Sequence, residues 1–247
     1  MIYLCKVSYL GAAYYGFERQ KTVPSIQGKI EDALKVLFQK ETLIHGAGRT
    51  DAGVSAKGQT FSFESKEIED EKQFLYALNR TLPSDISVLS IEKKEPGFDA
   101  RHKATGKRYS YSFRLGEKRP LESFLVAQFG TRAFDEENFA ETLKLYKGIH
   151  DFRDFTSKAT DKDAFVRDIS SITLTSHDGL YRVDVVGNGF MTYQVRIMMG
   201  VALKVGFGKM TLREVKEALK PKERKIISYK APAEGLTLEE VYYAPLH

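Results

Sequence analysis

The stretch HGAGRTDAGVSAKGQTFSF, residues 45–63, joins two apolar runs through a segment with four glycines and an Arg-Thr-Asp triplet at 49–51. Glycine loses more backbone entropy on folding than other residues, so this density indicates a special backbone task. It is not a Walker loop, because no Gly-Lys-Ser/Thr follows, and a third glycine at the dinucleotide-binding spacing is missing. We interpret Gly46, Gly48 and Gly53 as room for a ligand close to Asp51.

Asp51 has two interpretations. A loop aspartate is most often a turn former or a solvated charge. Alternatively, Arg49 is a permanent cation two residues away, and a nearby cation keeps a carboxylate ionised. An ionised carboxylate can act as a nucleophile, while the Thr50 hydroxyl and the planar fork of Arg49 suit contacts to a phosphate.

Outward from this stretch, apolar residues recur with period 2 in some segments and with helical spacing in others. The strands are predicted at 2–9, 59–64, 86–95, 107–115, 169–176, 180–188 and 236–244, and the helices at 25–40, 70–82, 134–146, 192–205 and 212–220.

This order predicts an α+β fold with two lobes, each an antiparallel sheet with helices packed on one face, and an active-site cleft between them. The lobes are expected at residues 1–100, with the Asp51 loop, and 101–247. Asp178-Gly179 between two alternating runs predicts a tight hairpin.

Composition restricts the function classes. Lys and Arg number 38 against 33 Asp and Glu, a formal charge of +5, which permits a polyanionic partner without requiring one. The single cysteine, Cys5, forms no internal disulfide and favours a reducing, cytoplasmic compartment. The N-terminus has no signal-peptide pattern, and the most apolar window, 191–208, contains two basic residues, so a buried helix is predicted rather than a membrane span.

Residues 101–119 concentrate basic side chains around alternating aromatic ones. Tyr109 and Tyr111 are either core residues or surfaces for a flipped base, and Tyr111 is the weaker candidate. The charged residues are either a solvated face or phosphate contacts. The candidate phosphate contacts are Arg101, Lys103, Lys107 and Arg108.

Five separated motifs, spread over the whole chain, are similar to those of one family, the bacterial tRNA pseudouridine synthase A family. The motifs are YLGAAYYGFERQ (9–20), GAGRTDAGVSAKGQ (46–59), FDARHKATGKRYSY (98–111), GNGFMTYQVRIMMG (187–200) and APAEGLTLEEVYY (231–243).

The resemblance implies an isomerase that converts uridine to pseudouridine in the anticodon arm of tRNA, positions 38–40. It also implies a homodimer, no cofactor and no metal. By the matched motifs, the catalytic residues are Asp51, Tyr109 and Arg196. Leu236 lines the base pocket, and Arg49, Thr50 and Gly53 contact the substrate. From its apolar surroundings alone, Arg196 is equally a structural ion-pair partner.

The chain departs from the family pattern at three places. Ser55 stands where the family has histidine, Phe17-Glu18 replaces Trp-Gln, and Thr192-Tyr193 precedes the Val-Arg of the helix start. We expect these positions at the rim and the RNA-facing surface, where they alter the choice of RNA. A divergent paralogue with another RNA target remains an open interpretation.

Two other functions were weighed. An RNA-binding homologue without catalysis would have no need of the intact Arg-Thr-Asp triplet. A metal-dependent phosphodiesterase would need Asp51 clustered with Asp99, Asp151 or Asp154, whereas the five histidines are scattered. A Ser-His-Asp hydrolase is disfavoured because the chain has no nucleophile elbow.

Overall fold

The computed structural model describes residues 1–157, 165–220, 223 and 225–245. The chain divides into two compact units, which we call unit 1 (residues 1–105 and 237–245) and unit 2 (residues 106–236). The strands are β1 Ile2–Tyr9, β2 Ile44–Gly46, β3 Ser55–Glu64, β4 Ile86–Lys94, β5 Gly106–Arg114, β6 Ala127–Gln128, β7 Gly148–Asp151, β8 Val166–His177, β9 Leu180–Gly187 and β10 Leu236–Tyr242, and the α-helices are α1 Ile26–Phe38, α2 Glu71–Thr81, α3 Glu136–Tyr146, α4 Gln194–Gly206 and α5 Leu212–Ala218.

Unit 1 is built on a sheet with the strand order β4-β1-β3-β10, and β2 also pairs with β3. The antiparallel pairing of β1 with its two neighbours places Cys5 opposite Phe61 of β3 and Ile91 of β4. Cys5 is fully buried, and burial raises the pKa of its thiol. Rings of the helices and the sheet stack on one another, with Phe38 and Phe74 at 5.4 Å between centroids.

The two helices of unit 1 begin at side-chain caps. The hydroxyl of Ser25 accepts from the backbone N–H of Gly28, and the Asp70 carboxylate accepts from those of Lys72 and Gln73. Such caps satisfy N–H groups that have no partner inside the helix. Both predicted helices are therefore confirmed to within two residues at each end.

Unit 2 contains the strand order β5-β9-β8-β7, with β6 on β5. Its central hairpin pairs His177 with Leu180 across Asp178 and Gly179. These two residues have φ of 49° and 69°, the backbone of a type I′ turn, which confirms the hairpin prediction.

Helix α4 forms much of the core of unit 2, with eleven of its thirteen residues buried. The Tyr146 hydroxyl of α3 donates to its Met198 carbonyl at 3.0 Å. The helix begins two residues after the predicted start at 192, because Tyr193 adopts a left-handed conformation with φ of 63°. No helix in the described part of the chain is long and apolar enough to cross a membrane.

The mixed α and β architecture agrees with the predicted fold class. Two details differ from the prediction: the unit to which the last strand belongs and the direction of two strand pairs. The final strand groups with unit 1 rather than with 101–247, because Thr237 and Leu238 of β10 pair with Ser55 and Ala56 of β3. That pairing is parallel, as is β5 with β6, so the sheets are not antiparallel throughout. Parallel neighbours need a long connection, which the whole of unit 2 supplies for β10.

Candidate active site

Asp51 opens a tight turn in unit 1. Its carbonyl accepts a hydrogen bond from Val54 N at 3.1 Å. Gly53 sits at the third position of the turn with φ of 80°, which a type II turn requires and which suits glycine. Gly53 N donates to the Tyr14 carbonyl at 3.3 Å. The turn therefore fixes the backbone around a half-buried Asp51.

Two other glycines of this stretch, Gly46 and Gly58, serve packing. A Cβ on Gly46 would lie 2.3 Å from Cε1 of Phe17, and one on Gly58 would lie 2.4 Å from the Glu239 carbonyl oxygen. Real Cβ atoms do not approach other atoms this closely, so the Phe17 ring fills the space beside Gly46 and the Glu239 backbone fills the space beside Gly58. The interpretation of Gly46 as room for a ligand is therefore wrong.

The Tyr-rich loop after β1 lies directly against the Asp51 turn. Phe17 N donates to the Thr50 carbonyl at 3.1 Å, and a Cβ on Gly16 would come within 2.8 Å of that same oxygen. Gly11 N donates to the Ser55 hydroxyl at 3.0 Å. The loop from Gly11 to Phe17 therefore packs against the Asp51 turn and is hydrogen-bonded to the residues on both sides of it.

These contacts correct the expected location of two departures from the family pattern. Phe17 and Ser55 are each only 2% exposed, so neither side chain lies at a rim or an RNA-facing surface. Phe17 fills the space beside Gly46, and Ser55 binds the loop backbone.

Glu18, the other residue of the Phe17-Glu18 departure, is exposed and forms an ion pair with Arg49, with 3.1 Å between Oε2 and Nη1. The two side chains are 53% and 52% exposed. Arg49 was predicted to be available to RNA. It is accessible, but a carboxylate already occupies one side of its guanidinium.

In unit 2, Tyr109 lies on β5 opposite Val185 of β9. Its ring meets the Phe190 ring edge to face at 5.3 Å, and 8% of the residue is exposed. Tyr111 is fully buried, its hydroxyl donates to the Pro232 carbonyl, and burial raises its pKa well above the usual value. Tyr111 is a core residue, and Tyr109 has the greater access to a ligand.

Arg196, at the start of α4, is half-buried and exchanges hydrogen bonds with Ala231. Its Nε donates to the Ala231 carbonyl at 2.9 Å, and Ala231 N donates to the Arg196 carbonyl at the same distance. The guanidinium carbon also lies 5.7 Å from the centre of the Tyr193 ring. The Nε bond orients the guanidinium, and the backbone bond ties the start of α4 to Ala231.

The segment after Ala231 packs against β5 of the same unit. A Cβ on Gly235 would lie 2.7 Å from both the Ser112 carbonyl oxygen and Cζ of Tyr111. Leu236 follows and is 5% exposed. The predicted pocket residue is therefore apolar, nearly buried and rigidly placed.

The four basic candidates fall in different units. Arg101 and Lys103 belong to unit 1 and are exposed, whereas Lys107 and Arg108 lie on β5 of unit 2 and are half-buried. Arg108 lies 3.8 Å from a carboxylate oxygen of Asp184.

The carboxylates needed by a metal-dependent phosphodiesterase serve local structure. Asp99 accepts from the backbone N–H groups of Arg101 and His102, Asp151 pairs with Arg153, and Asp154 accepts from Lys225 N. No group of three or more metal-ligating side chains occurs among residues 1–157, 165–220, 223 and 225–245.

Two residues that sequence reasoning missed lie behind the Asp51 turn. The Tyr9 and Thr50 hydroxyls share a hydrogen bond of 2.7 Å, and Gln59 Nε2 donates to the Gly48 carbonyl at 3.0 Å. Only the position of both in family motifs could have drawn attention to them, because strand alternation marks Tyr9 as an ordinary core residue.

Comparison with known proteins gives consistent matches. The family model described as tRNA pseudouridine synthase matches residues 6–103 and 142–244. A tRNA pseudouridine synthase A of Geobacillus sp. (strain WCH70) is 34% identical over 97% of both chains. That of Acetivibrio thermocellus is 35% identical, over 96% of this chain and 97% of the relative. That of Streptococcus mutans serotype c is 34% identical over 98% of both chains.

A solved structure, "Crystal Structure of a Cbf5-Nop10-Gar1 Complex", is far more distant. It matches with a TM-score of 0.37 and 15% identity, and the match spans 81% of this chain and 45% of that one. Such a remote likeness says nothing about function. The family model matches most of this chain, and the relatives match nearly all of it. We conclude that this chain belongs to the tRNA pseudouridine synthase family.

Proposed function

We propose that this chain isomerises uridine to pseudouridine in the anticodon arm of tRNA, at positions 38–40, with Asp51 as the catalytic carboxylate. Family membership over nearly the whole chain supports the reaction class. The observation that carries the role of Asp51 is its place in a hydrogen-bonded turn in which the residue remains partly exposed.

The reaction rearranges bonds within one nucleotide. The C1′–N1 glycosidic bond breaks, the detached base turns, a C1′–C5 bond forms and the C5 proton is released while N1 gains one. No atom is gained or lost overall, so the enzyme is an isomerase and needs no redox partner. A carboxylate can support the cleavage either by attacking the nucleotide or by stabilising the charge that develops.

The target base must leave the helical stack before any side chain reaches it. Tyr109 offers an aromatic surface braced by Phe190, and we assign it the contact with the flipped base and proton transfer at C5. Leu236 supplies an apolar wall for that pocket. By the family resemblance we assign to Arg196 the role of keeping Asp51 charged, because a protonated carboxyl is a poor nucleophile.

The remaining predicted contacts bind the RNA backbone. Arg49, Thr50 and Gly53 hold the target nucleotide beside Asp51. Phosphates account for most hydrogen bonds in nucleic-acid interfaces and fix the register of the partner. We assign this role to Arg101, Lys103, Lys107 and Arg108. In this proposal the enzyme acts in the cytoplasm as a homodimer.

Pseudouridine mapping tests the assignment. Total tRNA lacking pseudouridine at positions 38–40 is incubated with the protein, with and without a chelator, and every modified uridine is then located. The expected product carries pseudouridine only in the anticodon arm, and the yield is unchanged by the chelator. Modification elsewhere in tRNA would overturn the assigned position, and a chelator-sensitive reaction would overturn the cofactor-free chemistry.

The runner-up is an RNA-binding homologue without catalysis. It predicts tight tRNA binding and no pseudouridine at any enzyme concentration. The intact turn around Asp51 favours the enzyme, because an RNA-binding module has no use for a partly buried carboxylate facing a polyanion.

A further inference from the structure

The segment Gly48–Thr50, which leads directly into Asp51, is anchored to the sheet of unit 1 by two buried side chains. Tyr9 is 3% exposed and ends β1, and Gln59 is fully buried in β3. Neither side chain faces solvent, so neither contacts RNA.

Each anchor acts at one end of this segment. Gln59 Nε2 donates to the Gly48 carbonyl at 3.0 Å, and the Tyr9 hydroxyl shares a 2.7 Å hydrogen bond with the Thr50 hydroxyl. The Gln59 carbonyl oxygen is held in turn by Thr60 N at 3.1 Å. Tyr9 also interacts with Gln59, and burial raises the pKa of its phenol, which therefore keeps its proton.

The anchors stand on neighbouring, hydrogen-bonded strands. In the β1–β3 pairing, Tyr9 lies opposite Ala56 and Val7 lies opposite Gln59, with a register shift between these two pairs. A loop by itself is mobile, whereas side chains on paired strands are held precisely. The network thus transfers the rigidity of the sheet to the residues that precede Asp51.

We propose that Tyr9 and Gln59 are positioning residues that hold the Gly48–Thr50 segment so that the Asp51 carboxylate meets the reacting nucleotide. The inference rests on the proposed function of Asp51. Small displacements suffice to matter, because moving a reacting group by about 1 Å costs on the order of 100-fold in rate.

The test compares Tyr9→Phe and Gln59→Met with Tyr3→Phe as the matched control. Tyr3 lies on the same strand, is 1% exposed and accepts a hydrogen bond from Ile68 N at 2.8 Å, away from the Asp51 turn. Tyr9→Phe and Tyr3→Phe each delete one buried phenolic hydroxyl. Steady-state tritium release from C5-labelled tRNA gives kcat and KM, and thermal unfolding gives Tm.

Tyr9→Phe and Gln59→Met are expected to lower kcat by about 10- to 100-fold with little change in KM. Tyr3→Phe should lower Tm about as much as Tyr9→Phe does and keep the wild-type kcat. Equal kcat values for Tyr9→Phe and Tyr3→Phe would overturn the positioning role. An increase in KM alone would do so too, since it would indicate RNA binding. If Tyr9→Phe fails to fold, Gln59→Met decides alone.

The wild type separates the two proposals. No tritium release by the wild type would overturn the proposed function. Release by the wild type, its loss in Asp51→Asn, and full kcat in both anchor variants would retain the proposed function and refute the positioning network.

Discussion

Glu18→Gln is expected to tighten tRNA binding. In the wild type, the Glu18 carboxylate lies 3.1 Å from the Arg49 guanidinium. Arg49 precedes Asp51, the residue assigned to the reaction, by two positions. Arg49 must leave this carboxylate, or share its charge with it, when it contacts a phosphate. Glutamine keeps the size of the side chain and removes the negative charge.

The magnitude follows from the exposure of the pair. Both side chains are about half exposed, and ion pairs of this kind are worth about 0–1 kcal/mol. Removing the competition therefore strengthens binding by up to about fivefold, since about 1.4 kcal/mol corresponds to a factor of ten. Arg49 also becomes a full phosphate contact, so the plot of log affinity against log salt steepens by up to about 0.7–0.9.

The assay is a filter-binding or fluorescence titration of tRNA at several salt concentrations, on Glu18→Gln and on the control Glu67→Gln. Glu67 is 61% exposed in an ion pair with Lys93, so the control removes the same charge and frees a cation elsewhere in unit 1. The control is expected to bind like the wild type. Equal tightening of tRNA binding in both variants would show that the effect comes from the change in net charge alone. Weaker binding by Glu18→Gln would refute the reasoning.

Two further predictions concern the stability of unit 1. Asn79→Ala removes an amide that bonds both the N–H and the carbonyl of Val88 at 2.8 Å, so chemical denaturation should show a loss of about 1–3 kcal/mol; an unchanged midpoint would contradict it. Gly46→Ala forces a Cβ against the Phe17 ring and should cost about 1–3 kcal/mol, with Phe17→Leu in the same chain recovering part of that loss. Purely additive losses in this double variant would contradict the packing argument.

Local signals in the sequence predicted much of the fold. The Asp178-Gly179 turn and the helix predicted at 25–40 each depend on chemistry within a few residues, and both are confirmed. Features that depend on distant partners were missed. The short strands β2 and β7 exist through pairing with β3 and β8, and the strand predicted at 236–244 groups with unit 1 because β10 pairs with β3.

The same distinction applies to the candidate site. The motif around Asp51 is local, and the sequence revealed it. The Gly46–Phe17 contact and the Gln59–Gly48 hydrogen bond join residues from different elements, and no pattern within one segment encodes them. Glycines that the sequence presents as ligand space therefore turned out, in part, to be packing positions.

The central claim is that Asp51 carries out the isomerisation. Tritium release from C5-labelled uridine in tRNA tests it most directly, with wild type, Asp51→Asn and the control Asp32→Asn, which neutralises a carboxylate on α1 that pairs with Arg19. We predict release by the wild type and the control, and none above background by Asp51→Asn, which should still fold and bind tRNA. Release by Asp51→Asn at a rate near that of the wild type would contradict the account.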